Sequence, residues 1–499
     1  WGTYVNSSEN LWVRKNHSHR HMFNASELGN DSTRTIQIAD GVELFLRKGG
    51  SDRGILTVRL VNSKMTGAKE RRVHFTLFQP KITLVNSTEW DEVRKPEDLR
   101  QDPIMEILYC DSKILALGHN VGVDWNDTNT VFTTFLPEFE IPVMRTELQL
   151  SKYIPSLDEL SSPNTTTFSN ALQKLNSFAD EYNNWIQQQE SLLFDRFEAG
   201  TLLPHLREQS EILITSAKSN VIRIRDGIQF LSTNSLAADA FKQANLAIQF
   251  SQNSPLHPDI QSRKDSDGLF IEFQWRPFQL AFILLNLKGV CALEREDDGW
   301  SDRDIVDLAW FPTGGGKTEA YLGLIALLSF YRRSRFPEKE QKPMVHTIMR
   351  YTLRLLTSDQ ADRIVRLLSA MNHIFESNHT GPHYPRFRLG MWVGSAVSPN
   401  DLLKHSKRPT HISAEKSLSR LQNGMVEKEG SVLQFDVCPW CGDDSEDGIR
   451  SPHNWRIGLF NGKQALIGNC TVIDCLFNDE IHGVPFTPID DDIYLNPPT

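Results

Sequence analysis

The sequence predicts a multidomain α/β protein, and three observations point to it. Apolar residues recur with a period of two after Gly41, and with the 3-4 spacing of a helix after Phe168. Further on, an apolar run breaks into Gly314, Gly315 and Gly316, followed by Lys317, Thr318 and a second apolar run. The expected order is therefore a peripheral polar segment (1–40), a β-rich domain (41–150), a helical domain (151–255), a lobe carrying the glycine turn on a parallel sheet (256–430) and a cysteine-rich region (431–499). A chain of 499 residues has room for about three domains of ~150 residues.

Composition excludes several classes. Charged residues make up 23% and hydrophobic ones 39%, as in an ordinary globular protein. The net charge of −10 does not advertise a nucleic-acid binder, although a local basic stripe would suffice for one. No apolar run approaches the ~18 residues of a membrane span, so no membrane partner is expected. Six cysteines do not make a disulfide framework, and a reducing, cytoplasmic setting fits. The start, "WGTYVNSSENLW", lacks signal-peptide regions and an initiator Met, which suggests a fragment or a processed product.

Taken in order, residues 1 to about 35 are polar and hold the histidine group "HSHRHMF", read as a solvated tail in preference to a metal site. In "ILTVRLVN", Leu56, Val58 and Leu60 alternate with Thr57, Arg59 and Val61, the pattern of a half-buried strand. Leu172, Leu175, Ala179, Tyr182 and Ile186 mark one face of a helix. "LLPHLREQSEILITSAKSNVIRIRDGI" and "SLAADAFKQANLAIQF" read as two more helices, before the polar linker "SQNSPLHPDIQSRKDSDG".

Val306 to Phe311 suits a buried parallel strand that Pro312 ends. Without Cβ atoms, Gly314, Gly315 and Gly316 let backbone N–H groups converge on one point. The helix that follows adds the partial positive charge of its N-terminus. Lys317 is placed to reach β- and γ-phosphates and the Thr318 hydroxyl to ligate Mg²⁺, which makes these two the expected catalytic residues. ATP and Mg²⁺ are thus the expected cofactors, with Thr313 and Glu319 flanking the nucleotide set. Phe311 stands where the usual G-x-x-x-x-G-K-[ST] spacing has its first glycine, a departure that the helicase-like form P-T-G-x-G-K-T tolerates.

Upstream, "WRPFQLAFILLNL" resembles the adenine-reading Q motif of superfamily 2 helicases. Arg276 opens the cluster, and the amide of Gln279 can both donate to and accept from an adenine edge. Downstream, "VHTIMRYTLRLLTSDQADRI" places Arg350, Thr352 and Arg354 where those enzymes carry motif Ia, which grips the nucleic-acid backbone without reading sequence. "LGMWVGSAVSPN" offers Ser398 and Asn400 as a second backbone contact. The cysteine region has Cys438, Cys441, Cys470 and Cys475 in the pattern C-x2-C-x28-C-x4-C. The first pair, followed by Gly442, is a good half-site, whereas the second is looser and leaves His453 or His482 as a substitute ligand. A structural Zn²⁺ is favoured over free thiols, and a redox pair comes third. Cys110 and Cys291 read as small buried apolar residues.

In order, "GHNVGVDW", "WRPFQLAFILLNL", "VDLAWFPTGGGKTEAYLGL", "MRYTLRLLTSDQADR", "VGSAVSPN" and the cysteine-rich insertion resemble the DISARM-type (DrmA-like) helicases of bacterial anti-phage defence. The resemblance covers most of residues 40–499. It implies the N-terminal part of an ATP-driven DNA translocase of superfamily 2, with a RecA-like first lobe and a zinc-ribbon-like insertion. It also implies a DrmB-like partner protein in a system that includes a DNA methyltransferase. Such enzymes need an Asp-Glu pair after a second buried strand, and a second lobe supplying arginines. The only acidic run after the glycine turn, "PIDDDIYLNPPT", reads as lacking the preceding strand. These residues alone are therefore expected not to hydrolyse ATP efficiently. The alternative expectation is a nucleotide-gated module that binds DNA or a partner without turnover.

Overall fold

A computed structural model describes residues 2–6, 12–24, 27–28, 32–49, 54–64, 76–91, 93, 102–108, 110, 114–135, 152–253, 264, 268–269, 272–308, 316–350, 354–379, 384–395, 397–404, 412–425, 430–460, 462–479 and 481–495. The chain divides into two compact units, residues 1–143 with 193–212, and residues 144–192 with 213–499.

The first unit is mostly antiparallel β-structure. The segment expected to be a peripheral tail opens on a hairpin, β1 (Gly2–Asn6) with β2 (Trp12–Asn16). After it, the histidine stretch is irregular, and the His17 ring meets the Thr3 hydroxyl at 2.9 Å. β3 (Thr33–Ala39), β4 (Val42–Gly49) and β5 (Ile55–Asn62) form one sheet in that order, so the β-structure starts before Gly41. Leu46 is fully buried; along β5, Leu56, Val58 and Leu60 are half-buried and Arg59 and Val61 face out as the alternation marks, whereas Thr57, expected to face out, is half-buried too. β6 (Thr83–Val85), helix α1 (Pro103–Leu108), β7 (Gly122–Asp127) and β8 (Thr130–Thr134) follow, the strands ordered β6-β8-β7. The β7–β8 turn closes on the Asp127 carboxylate, which accepts the Asn129 and Thr130 N–H groups. Cys110 is half-buried, not buried as expected, and Arg196 donates to its sulfur.

The second unit is built on helices: α2 (Leu157–Ser161), α3 (Thr165–Glu198), α4 (Arg207–Thr233), α5 (Ser235–Gln252), α6 (Pro277–Cys291), α7 (Lys317–Arg335), α8 (Arg354–Asn378), α9 (Ala414–Gln422) and α10 (Asp490–Leu495). The joined ends of α3 and α4 belong to the first unit. Leu172, Leu175, Ala179 and Ile186 are buried, as their spacing predicts. One hydrophobic cluster runs from Leu157 to Ile489, so the three-helix region and the glycine-turn region share a core. α5 presents a stripe of small residues, Ala237, Ala240, Ala244 and Ala247, and packs closely on α7 and α8.

Strand content in this unit is lower than the apolar runs predict. β9 (Leu389–Gly390) and β12 (Phe486–Thr487) pair in parallel, and β10 (Trp455–Phe460) pairs antiparallel with β11 (Lys463–Gly468). Residues 305–308 and 343–350 form no strand, and Val306, Leu308 and Ile348 are exposed. In these stretches Asp307 is held by Arg223 and His346 by Glu340, side-chain pairs in place of a ladder, while Met349 packs against the core. Phe311 and Pro312 lie outside the described residues. A buried strand does precede the acidic run, against expectation: β12 ends three residues before Asp490. Two residues between Pro485 and Pro488 are too short to show a period in the sequence. No helix among the described residues is long and apolar enough to cross a membrane.

Candidate functional site

The described part of the glycine turn starts at Gly316, which caps α7 in left-handed backbone at φ 83°. Only glycine adopts this conformation freely, and a Cβ here would come within 2.7 Å of Gln279 Nε2 and 3.3 Å of Glu319 Oε2. Lys317 and Thr318, both half-buried, form the first turn of α7 with Glu319, so the N–H groups of the helix start lie beside the ammonium and the hydroxyl. This combination of donors fits the phosphates of ATP with Mg²⁺. Thr313, Gly314 and Gly315 lie outside the described residues.

Gln279 approaches this turn from α6. Its side chain is buried; Oε1 accepts the N–H of Arg276, the N-cap of the helix, at 2.8 Å, and Nε2 donates to the Gly316 carbonyl at 2.6 Å. The residue expected at adenine thus joins α6 to the end of the glycine turn here. Glu319 is buried and accepts from Arg363 Nη1, on α8, at 2.9 Å.

The expected nucleic-acid contacts are spread more widely. Arg350 is exposed on the irregular stretch before α8, Arg354 is the first residue of α8 with its side chain not described, and Thr352 is outside the described residues. That stretch is anchored by His346, whose Nε2 lies 2.6 Å from Glu340 and whose Nδ1 lies 3.3 Å from Ser329. Burial holds the His346 pKa below its ordinary value despite Glu340, and burial raises Glu340 by less than His346 and Arg332 lower it. Ser398 is buried and donates to the Pro488 carbonyl at 2.7 Å, while Asn400 accepts the Asp491 N–H through its backbone oxygen at 3.1 Å.

The acidic run does two different things. Asp492 is fully buried and pairs with Arg388, also buried, at 3.2 Å, while accepting from Leu466 N and Thr487 Oγ1. It joins β11 and β12. Asp490 is half-buried, and burial followed by the charges of Asp491 and Asp401 pushes its carboxyl up.

The second site is closed. Cys438, Cys441, Cys470 and Cys475 are all buried, with sulfurs within 4.8 Å of one another, the one such group of metal-binding side chains among the described residues. Cys438 and Cys475 sulfurs are 3.6 Å apart, and those of Cys441 and Cys470 3.7 Å. A disulfide would need about 2.05 Å, whereas four thiolates at about 2.3 Å from one tetrahedral Zn²⁺ stand about 3.8 Å apart. The spacing fits the metal. Backbone N–H groups of Asp443, Val472 and Phe477 donate to the sulfurs of Cys441, Cys470 and Cys475, as the groups around a thiolate centre do. Hydrogen bonds among the thiols push Cys438 up and hold Cys441 and Cys470 down; at Cys475 the bond with Cys438 lowers the thiol, but Cys441, Cys470 and burial raise it overall. Neither His453 nor His482 joins the group; His482 pairs with Asp479 at 3.0 Å.

Local packing explains the closure. Gly442, at φ 73°, turns the Cys438 knuckle back on itself, with its N–H on the Cys438 carbonyl. The β10–β11 hairpin separates the two half-sites, and Gly468 leaves room for the Trp455 ring, which a Cβ would meet at 2.6 Å. Arg366 on α8 donates to the Pro439 carbonyl at 2.7 Å, and Trp440 packs 5.3 Å from Phe250 on α5. The module is seated on the helices. Cys291 is buried, as expected, and burial pushes its thiol well up.

No family model matches the chain. It is 30% identical to DISARM protein DrmA of Bacillus paralicheniformis, over an alignment of 538 residues that takes in all of this chain and 44% of that protein. The chain is thus DrmA-like along its whole length, and it spans less than half the length of the curated relative it matches.

Proposed function

We propose that this chain is part of an ATP-dependent DNA helicase or translocase of bacterial anti-phage defence, with residues 256–430 as its RecA-like nucleotide lobe. The reading is carried by Gly316 in left-handed backbone, directly before Lys317 and Thr318 at the start of α7, in a DrmA-like chain. The backbone N–H groups at the start of α7, with Lys317, would hold the phosphates of ATP, and the Thr318 hydroxyl would hold Mg²⁺. When bound, these two supply the phosphoryl group and the charge that draws electrons from it. Phosphoryl transfer asks the protein for position and charge, and the chain contributes the Lys317 ammonium, the oriented N–H groups and a turn held by Gln279.

Arg350, Thr352 and Arg354 would take DNA phosphates on the segment that leads into α8, with Asn400 in support, whereas the buried Ser398 is committed to the Pro488 carbonyl. A four-thiolate Zn²⁺ would keep the 438–475 module folded on α5 and α8. A DrmB-like protein is the proposed partner, in the cytoplasm. A second reading, a nucleotide-gated binding module without turnover, is favoured by Asp492, whose carboxylate is committed to Arg388.

Lys317→Ala in the complete protein tests the first reading. It should keep DNA binding and lose DNA-stimulated ATP hydrolysis by about a hundredfold or more, the scale of removing one charge-stabilising donor. Undiminished turnover would sink the assignment.

A further inference from the structure

The sheet β3-β4-β5 of the first unit has two unlike faces. Val42 and Leu46 on β4 are buried on the inner one. On the outer one the antiparallel registers set Thr35, Phe45 and Arg59 in a row across all three strands. Arg47 lies in the row on one side and Glu43 in the row on the other, each about 7 Å along β4 from Phe45. Thr35, Arg47 and Arg59 are exposed, and Phe45 is half-buried with the Arg59 guanidinium 5.8 Å from its ring centre. Against these two guanidiniums the ladder residues of this face set one carboxylate, Glu43, which accepts from the Ser63 hydroxyl at 3.2 Å. The face is thus locally basic, within a chain of net charge −10.

A ring at the centre of an open sheet, with cations beside it, suits one ligand chemistry above others. Every nucleic-acid base has a π-face that stacks on an aromatic side chain, and every backbone link carries a phosphate for a guanidinium. We propose that this face binds single-stranded nucleic acid, with a base stacked on Phe45 and the flanking phosphates on Arg47 and Arg59. The Arg59 guanidinium yields its place over the ring to the base and pairs with a phosphate, exchanging a cation–π contact for a charge-assisted one. A single strand fits because its bases can splay out onto a flat surface, whereas a duplex keeps its π-faces inside its own stack. Stacking and phosphate contacts read no sequence, so any base is accepted. The inference goes beyond the proposed function, since it uses neither the nucleotide site nor residues 350–354.

The test is fluorescence anisotropy of a labelled oligothymidylate of about 15 nucleotides with the complete protein, beside the matching oligouridylate. Phe45→Leu keeps an apolar side chain but removes the ring, and should weaken binding about tenfold, whereas Phe45→Trp should retain it. Arg47→Gln and Arg59→Gln should each flatten the dependence of log Kd on log salt by about 0.7, the share of one phosphate contact on a single strand. Ultraviolet cross-linking of an iodouracil-substituted oligomer should mark the peptide that contains Phe45. Binding of either oligomer with these losses supports the inference, and the tighter of the two names the natural strand. Equal binding by wild type and Phe45→Leu with unchanged salt dependence, cross-links confined to other peptides, or no binding of either oligomer overturns it. Should Phe45→Leu fail to fold, the arginine variants and the cross-link decide. None of these outcomes touches Lys317, so the nucleotide site stands or falls separately on Mg·ATP binding.

Discussion

The four-cysteine centre and the glycine–lysine turn lie in one compact unit and are finished in opposite ways. The cysteines arrive from two stretches separated by a hairpin, and every sulfur meets another sulfur or a backbone N–H of its own module. Such a site is closed, with nothing left over for a substrate. The turn is contiguous in sequence and holds the start of α7, a half-buried Lys317 and Thr318, and a buried Glu319 whose Oε2 has no hydrogen-bond partner among the described residues. A closed set of four thiols is one that could hold a metal ion, whereas the turn is the site proposed for a nucleotide.

The comparison is broken most directly at the cysteines. Cys438→Ser should remove stoichiometric zinc and unfold residues 431–489, because structural zinc binding contributes about 10 kcal/mol or more to such modules. Metal analysis with hydrogen exchange checks it, and α3 to α5 should stay protected. A protected module that holds no metal would make the sulfurs mere packing. A smaller effect sharpens the contrast. Asp492→Asn strips the charge partner from a buried Arg388 and should cost about 3–5 kcal/mol in urea unfolding. Asp492→Leu with Arg388→Met should recover most of it, since a paired apolar replacement leaves no buried charge. A loss confined to the single variant would show that Asp492 acts as a fold tie; a negligible loss would return it to the candidates for chemistry.

What could be read in advance divides along similar lines. Helices α3 to α5 were legible because their apolar faces repeat over many turns, and the first cysteine knuckle because two thiols and Gly442 sit within five residues. The looser Cys470–Cys475 half was legible only as a possibility, with the histidines open as substitutes until the fold placed them. Pairs made by tertiary packing left no local trace. Gln279 and Gly316 are 37 residues apart, Glu319 and Arg363 are 44, and Arg388 and Asp492 are 104. Any of several arginines would have served equally well in a sequence reading. Of the apolar run from Val306 to Phe311, only residues up to Leu308 are described; there Val306 and Leu308 are exposed and Asp307 pairs with Arg223, a tertiary pairing that the apolar pattern does not signal.

Calorimetric titration of the chain with Mg·ATP, beside Lys317→Ala, addresses the central claim most directly. The account predicts saturable binding at one site that weakens at least about tenfold when the ammonium is removed, the loss of one charge-assisted contact. Equal binding by both proteins, or none by either, would contradict it.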